Sequence, residues 1–140
     1  MRLKLIMPQY SGWISGSEWR RLFPNLTLTY LAGLTPSEWE IVLHDECEGP
    51  IDVDKPIDLV GISTRTYLAP RAYAIADEYR TRGITVVLGG IHPTVLPEEA
   101  LRHADAIVVG EAELVWEKLL KDFTQGRLKK IYKAATLCNL

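Results

Sequence analysis

The stretch DLVGISTRTYLAPRAYAIADEYRTRGITVVLGG, residues 58–90, decides how this chain folds. Residues 59–63 and 85–88 are short apolar runs rich in Val, Ile and Leu, the pattern of strands covered on both faces. Between them Ala72, Ile75, Ala76 and Tyr79 recur at i, i+3, i+4 and i+7, with Arg71, Asp77, Glu78 and Arg80 elsewhere. That spacing predicts an amphipathic helix. Pro70 suits its first turn, and Gly83 its C-terminal stop. A strand, a helix and a second strand make a parallel pair, because parallel neighbours need a crossover of this length.

The same alternation continues outward. Residues 3–7, closed by Pro8, read as a first strand, residues 40–45 as a second and residues 106–109 as a fifth. Trp116, Leu119, Leu120 and Phe123 repeat the helical spacing up to Gly126, with Glu117 and Lys121 as an i,i+4 pair. Pro97, Glu98 and Glu99 open a shorter helix, with carboxylates at its positive end. Residues 47–56 are too few and too proline-bound for a helix, and residues 130–133 read as an edge segment. The run LTLTYLAGL, residues 26–34, fits two patterns. Leu26, Leu28 and Tyr30 alternate as in a strand, while Leu26, Tyr30 and Leu34 share a helix face. The need for a crossover decides for a helix over residues 24–34. The expected fold is a doubly wound, five-stranded parallel α/β sheet of the flavodoxin-like (Rossmann-like) kind, strand order 2-1-3-4-5. Ligands of such sheets bind outside the carboxyl ends of the strands, at the switch between the first and third.

Gross properties narrow the function. The 140 residues suffice for one domain with one core. A net charge of −2 gives no electrostatic case for nucleic acid. No apolar run approaches the roughly 18 residues of a membrane span, and Arg2 and Lys4 break any signal-peptide pattern. Cys47 and Cys138 lie far apart without metal-ligand spacing, as expected of a reduced cytoplasmic protein.

The expected carboxyl edge carries Pro8-Gln9-Tyr10, His44-Asp45-Glu46, Ser63-Thr64-Arg65, Gly89-Gly90-Ile91-His92 and Gly110-Glu111. Small and polar residues there admit a ligand close to backbone. Each also has a plainer reading. Gly89 and Gly90 can serve a turn, His92 can bond its own loop, and Ser63 and Thr64 can cap a strand end. Arg65 can be a solvated charge. Tyr10, Trp13, Trp19 and Phe23 can form a lid or simply cover the sheet end. The glycine–lysine phosphate loop and the G-x-G-x-x-G fingerprint are both absent. No acidic pair follows the first strand, no Ser/Thr-rich loop replaces it, and no Ser-His-Asp order stands out.

The fragments DLVGISTRT, APRAYAIADEYRTRG, TVVLGGIHPTVLPEEAL and ADAIVVGEAE, in this order, resemble the N-terminal cobalamin-binding domain of B12-dependent radical SAM enzymes. The opening LKLIMP and LTLTYLAGLTP fit the same pattern, and the resemblance covers residues 3–133. It implies a cobalamin-binding domain over 1–133 with a tail at 134–140. The nucleotide tail of cobalamin would thread beside the sheet, with the corrin over its carboxyl edge. On this reading Gly89 and Gly90 are the glycines whose side chains would collide with the tail, and Ser63 can hydrogen-bond its base. Gly110 and Glu111 line the same slot, and His92 and Thr94 lie on a loop reaching the tail or its phosphate. Gln9, Thr64 and Ile91 complete the expected contacts.

Two departures shape that expectation. The D-x-H-x-x-G loop that ligates cobalt in many B12 domains reads P-Q-Y-S-G-W here, without histidine. The resemblance therefore implies base-off cobalamin with no histidine ligand, and Arg65 and Tyr67 become candidates for the space beneath the cobalt. The C-x-x-x-C-x-x-C motif of the radical SAM barrel is also absent. Iron–sulfur and S-adenosylmethionine chemistry then belongs to a missing partner domain, in cis or in trans, and this chain alone is not expected to be catalytic. The chain is expected to be an excised domain or a free-standing module. Three functions compete: a cobalamin module serving methyl transfer or related radical chemistry, a non-catalytic interaction domain that has lost cofactor, and an enzyme for another nucleotide-like ligand.

Overall fold

The computed structural model describes residues 1–9 and 26–135. Six strands form one parallel sheet: β1 (Arg2–Met7), β2 (Glu40–Asp45), β3 (Leu59–Ser63), β4 (Thr85–Gly89), β5 (Ala106–Val109) and β6 (Ile131–Lys133), in the order β2-β1-β3-β4-β5-β6. The five-strand expectation is corrected by one. The edge segment pairs with β5 through Ile107 N–H to Lys130 O (2.9 Å) and Ala134 N–H to Val109 O (3.0 Å). Three residues carry too little alternation for the edge segment to be counted as a strand of the sheet from sequence. Its anchor is Tyr132, buried, whose hydroxyl donates to Asp122 Oδ2 at 3.0 Å.

The helices cover both faces. α1 (Leu26–Leu34) and α5 (Trp116–Thr124) pack on one, where Leu3, Leu5, Leu59, Val87 and Val108 meet Leu28, Leu31 and Trp116. α2 (Ala69–Thr81), α3 (Ile91–Val95) and α4 (Pro97–Ala100) lie along the other. There Ile6, Val60, Ile62, Val86 and Leu88 pack against Ala72, Ile75 and Tyr79. Strand alternation sends neighbouring residues to opposite cores.

Two details differ from the sequence reading. α1 forms, but its buried residues are Leu28 and Leu31, whereas Leu26 (75% exposed) and Tyr30 (57%) face outward. A helix apolar all round does not choose its buried face by periodicity. β2 is an edge strand and is not covered on both faces: Val42 and Leu43 are exposed. The β2–β3 connection carries only a single 3-10 turn, Glu46–Glu48. Lys4, buried in β1, fastens it by donating from Nζ to Asp52 O at 2.9 Å. That burial lowers the Lys4 pKa, and nearby Asp52 partly offsets the shift.

Candidate functional site: a slot at the carboxyl edge

Register builds the site. On the α1/α5 face, Leu5, Gly61 and Val87 are neighbours across β1, β3 and β4, and Ser63 stands opposite Gly89 in the next row. The last row of β3 and β4 thus has no large side chain, and in the row behind it the Leu5 side chain lies over Gly61, where a Cβ would come within 2.8 Å of Leu5 Cδ2. A slot, open at its mouth, remains between sheet and helices. Gly61, Ser63, Gly89 and Val108 form its floor, with Leu28, Leu31, Ala112 and Trp116 opposite. The Trp116 indole is held in place by donating to Thr35 Oγ1 at 2.9 Å.

The paired glycines play different parts. A Cβ on Gly89 would meet only Val108 Cβ, at an ordinary 3.8 Å, so anything longer would project into the slot. Gly90 has φ +102°, and a Cβ there would lie 2.7 Å from Thr64 O and 3.0 Å from Thr64 N. Its first obligation is to its own chain, because the backbone crosses β3 closely: Thr64 N–H donates to Gly89 O (2.7 Å), and His92 N–H to Thr64 O (3.1 Å). A side chain at Gly90 would strike protein backbone as well as any ligand.

The other expected residues fall into two groups. Arg65, Tyr67, Ile91, Gly110 and Glu111 are exposed near the strand ends and do not line the slot. Gln9, Thr64, His92 and Thr94 are engaged within the protein or buried away from it. Gln9 N–H donates to Glu46 Oε2 (2.9 Å), and its side-chain amide meets Cys47 Sγ. Thr64 is fully buried, and its Oγ1 has no partner. His92 lies on α3, not on a loop, and is 3% exposed. Its Nε2 is 3.0 Å from Glu99 Oε1 and 2.9 Å from the Tyr73 hydroxyl, which itself donates to Glu99. The His92 and Tyr73 hydrogen bonds hold the Glu99 carboxyl below its ordinary pKa, while burial, then Glu99, pushes the Tyr73 hydroxyl up. His92 Nδ1 is buried without a partner. The Thr94 hydroxyl donates to Gly90 O (2.8 Å) and accepts from Gly110 N–H (3.0 Å), clasping the turns after β4 and β5. Gly110 adopts φ +86° in that turn.

Sequence reasoning missed Gly61, Val87, Val108 and Trp116 as slot residues. Stepping back two positions from Ser63 and from Gly89 along their strands would have found Gly61 and Val87. Tyr10, Trp13, Trp19 and Phe23 lie outside the described residues, as does Cys138. Among the described residues no cluster of three or more His, Cys, Asp or Glu side chains is placed to hold a metal ion, and no helix is long and apolar enough to cross a membrane.

A doubly wound parallel sheet with a hollow at its carboxyl edge defines a ligand-binding domain of the flavodoxin-like class. Residues 20–120 match the B12 binding domain family, and the chain belongs to it. It is 51% identical over 109 residues to the bacteriochlorophyllide d C-8(2)-methyltransferase of Chlorobaculum tepidum, covering 77% of this chain and 24% of that protein. The C-12(1)-methyltransferase of the same organism is 38% identical over 115 residues, covering 80% and 25%. The anaerobic magnesium-protoporphyrin IX monomethyl ester cyclase of Rubrivivax gelatinosus is 33% identical over 144 aligned positions, covering 91% and 25%. The chain thus spans about a quarter of the length of these curated relatives.

Proposed function

We propose that residues 1–133 bind cobalamin base-off, with its nucleotide tail in the slot and its corrin over the carboxyl edge, and that residues 134–140 are a tail to the domain. The observation carrying this reading is the hollow itself: the bare Gly89 and the small Ser63 leave space at the end of the sheet that larger side chains would fill, in a chain of the B12-binding family. Ser63 offers a hydroxyl to the buried base, and the exposed Gly110, Glu111 and Ile91 border the ring. His92 and Thr94 act from behind, by fixing α3 and the two glycine turns.

The absence of a histidine ligand is supported by where the three histidines lie. His44 Nε2 is 3.0 Å from Gly49 O, His92 is buried against Glu99, and His103 Nδ1 is 2.9 Å from Asp77. None lines the slot. Arg65 and Tyr67, exposed after β3, are assigned to the lower face of the corrin. A guanidinium has no lone pair to ligate a metal, so Arg65 acts there only through its charge. Tyr67 shields the face by packing.

Bound as methylcobalamin, the cofactor would supply an exchangeable methyl group. Similarity to two methyltransferases and a cyclase supports a parent system that methylates or otherwise remodels a tetrapyrrole. Its S-adenosylmethionine and iron–sulfur chemistry would reside in a radical SAM domain outside these residues. The test is to mix the protein with hydroxocobalamin, desalt it, and record the visible spectrum. Retained corrin absorbance is expected. A well-folded protein that retains none would overturn the reading in favour of an interaction domain without cofactor.

A further inference from the structure

We infer that the slot selects corrinoids by the base of their nucleotide, accepting a benzimidazole and discriminating against a purine. The inference rests on the corrinoid reading above and asks which member of that class the slot fits.

It follows from the polar atoms the slot has left to offer. Ser63 and Gly89 are paired across the β3–β4 ladder, and Gly89 O also accepts from Thr64 N–H. Leu5, Val87 and Val108 add only hydrocarbon to the floor, as Leu28 and Leu31 do opposite. The Trp116 N–H is committed to Thr35 Oγ1, and that hydroxyl in turn donates to Leu31 O at 2.7 Å. The large indole therefore presents the slot with an apolar surface. Among the described residues two side-chain hydroxyls remain, Ser63 on the floor and Thr27 on the exposed first turn of α1. Neither has a hydrogen-bond partner among the described residues.

A benzimidazole joined to ribose through one ring nitrogen keeps one acceptor nitrogen and otherwise apolar edges. One serine hydroxyl satisfies it. An adenine brings an exocyclic amine and further ring nitrogens, which would exchange water for valine, leucine and the indole. Buried polar groups without partners weaken binding, and an apolar pocket discriminates against an added polar group by about 10- to 100-fold.

The test is equilibrium dialysis of the full chain, read by visible absorbance, against four corrinoids. These are cobalamin, its adenine-based analogue, its p-cresol-based analogue, and cobinamide, which lacks the nucleotide. Cobalamin is expected to bind about 10- to 100-fold more tightly than the adenine analogue. The cresol analogue, which has no acceptor nitrogen, is expected to be retained. Ser63→Ala should weaken cobalamin about three- to tenfold, one ordinary hydrogen bond, and leave the cresol analogue unchanged. Equal affinity for cobalamin and the adenine analogue overturns the inference. Cobinamide binding as tightly as cobalamin also overturns it, by taking the tail out of the slot while corrinoid binding stands. Retention of none of the four strikes the cobalamin reading itself, and the inference falls with it.

Discussion

At the carboxyl edge, the two faces of the sheet are finished differently. On the α2/α3 side every position is filled: Ile62, Leu88 and Ile107 are buried, Thr64 is fully enclosed, and His92 is pinned between Tyr73 and Glu99. On the α1/α5 side the last row is Ser63 and Gly89, and space remains. The division runs between adjacent residues, because strand alternation sends Ser63 and Gly89 to one face and Ile62 and Leu88 to the other. The filled face holds the chain in shape and the hollow face leaves room for something else. A short polar motif can therefore contain both kinds of residue side by side.

Mutations can break that comparison. The largest effect is expected at Gly90. Gly90→Ala forces a side chain into positive φ against the Thr64 backbone, and should cost about 3 kcal/mol or more in urea denaturation. Wild-type stability in that variant would remove Gly90 from the structural side. Gly89→Leu should do the reverse. Its unfolding free energy should stay within about 1 kcal/mol of wild type, since Cβ meets only Val108, while hydroxocobalamin is no longer retained after desalting. Undiminished retention would mean that the hollow is not where the cofactor's tail lies.

Smaller changes sharpen the boundary. Thr94→Val removes the hydroxyl that links Gly90 O to Gly110 N–H, and should cost about 1–2 kcal/mol on thermal or urea unfolding. Its cobalamin affinity should fall less than that of Gly89→Leu, because the hydroxyl supports the rim from behind. The smallest effect concerns Glu99, whose carboxyl is held below its ordinary pKa by His92 and Tyr73. A depressed carboxyl stabilises the fold fully above the unfolded value, about 4, and ceases to do so as pH falls through the lower folded value. The stability advantage of wild type over Glu99→Gln should hold at pH 6 and shrink below about pH 4. An advantage that stays constant down to pH 3 would show that the Glu99 charge contributes nothing to the filled face.

The sequence discloses the parallel sheet because residues 58–90 combine two apolar runs with one clear 3.6-residue period. Residues 130–133 read as an edge segment but not as a strand of the sheet, because what fastens them is a tertiary contact, Tyr132 on Asp122. The buried face of α1 stays hidden because Leu26, Leu28, Tyr30, Leu31 and Leu34 offer more apolar faces than a helix can bury. At the site, glycines and small residues mark the right edge of the sheet. They do not say which faces inward, and His92 and Thr94 look like ligand contacts until their partners are known. The slot walls escape notice because Val87, Val108 and Trp116 look like any core residues. What makes them a wall is the missing side chain at Gly89 and the small one at Ser63.

The sixth strand has a consequence for readiness. β5 would otherwise be the sheet's free edge, able to fray with Val108 and the Gly110 turn attached. With β6 alongside, β5 is held by hydrogen bonds on both flanks, Asp105 N–H to Val86 O on one and Ile107 N–H to Lys130 O on the other. Amide protons of β5 should then exchange with solvent more slowly than those of the open edge β2. A wall clamped in this way is already in place before any ligand arrives, so binding need not spend free energy on ordering it.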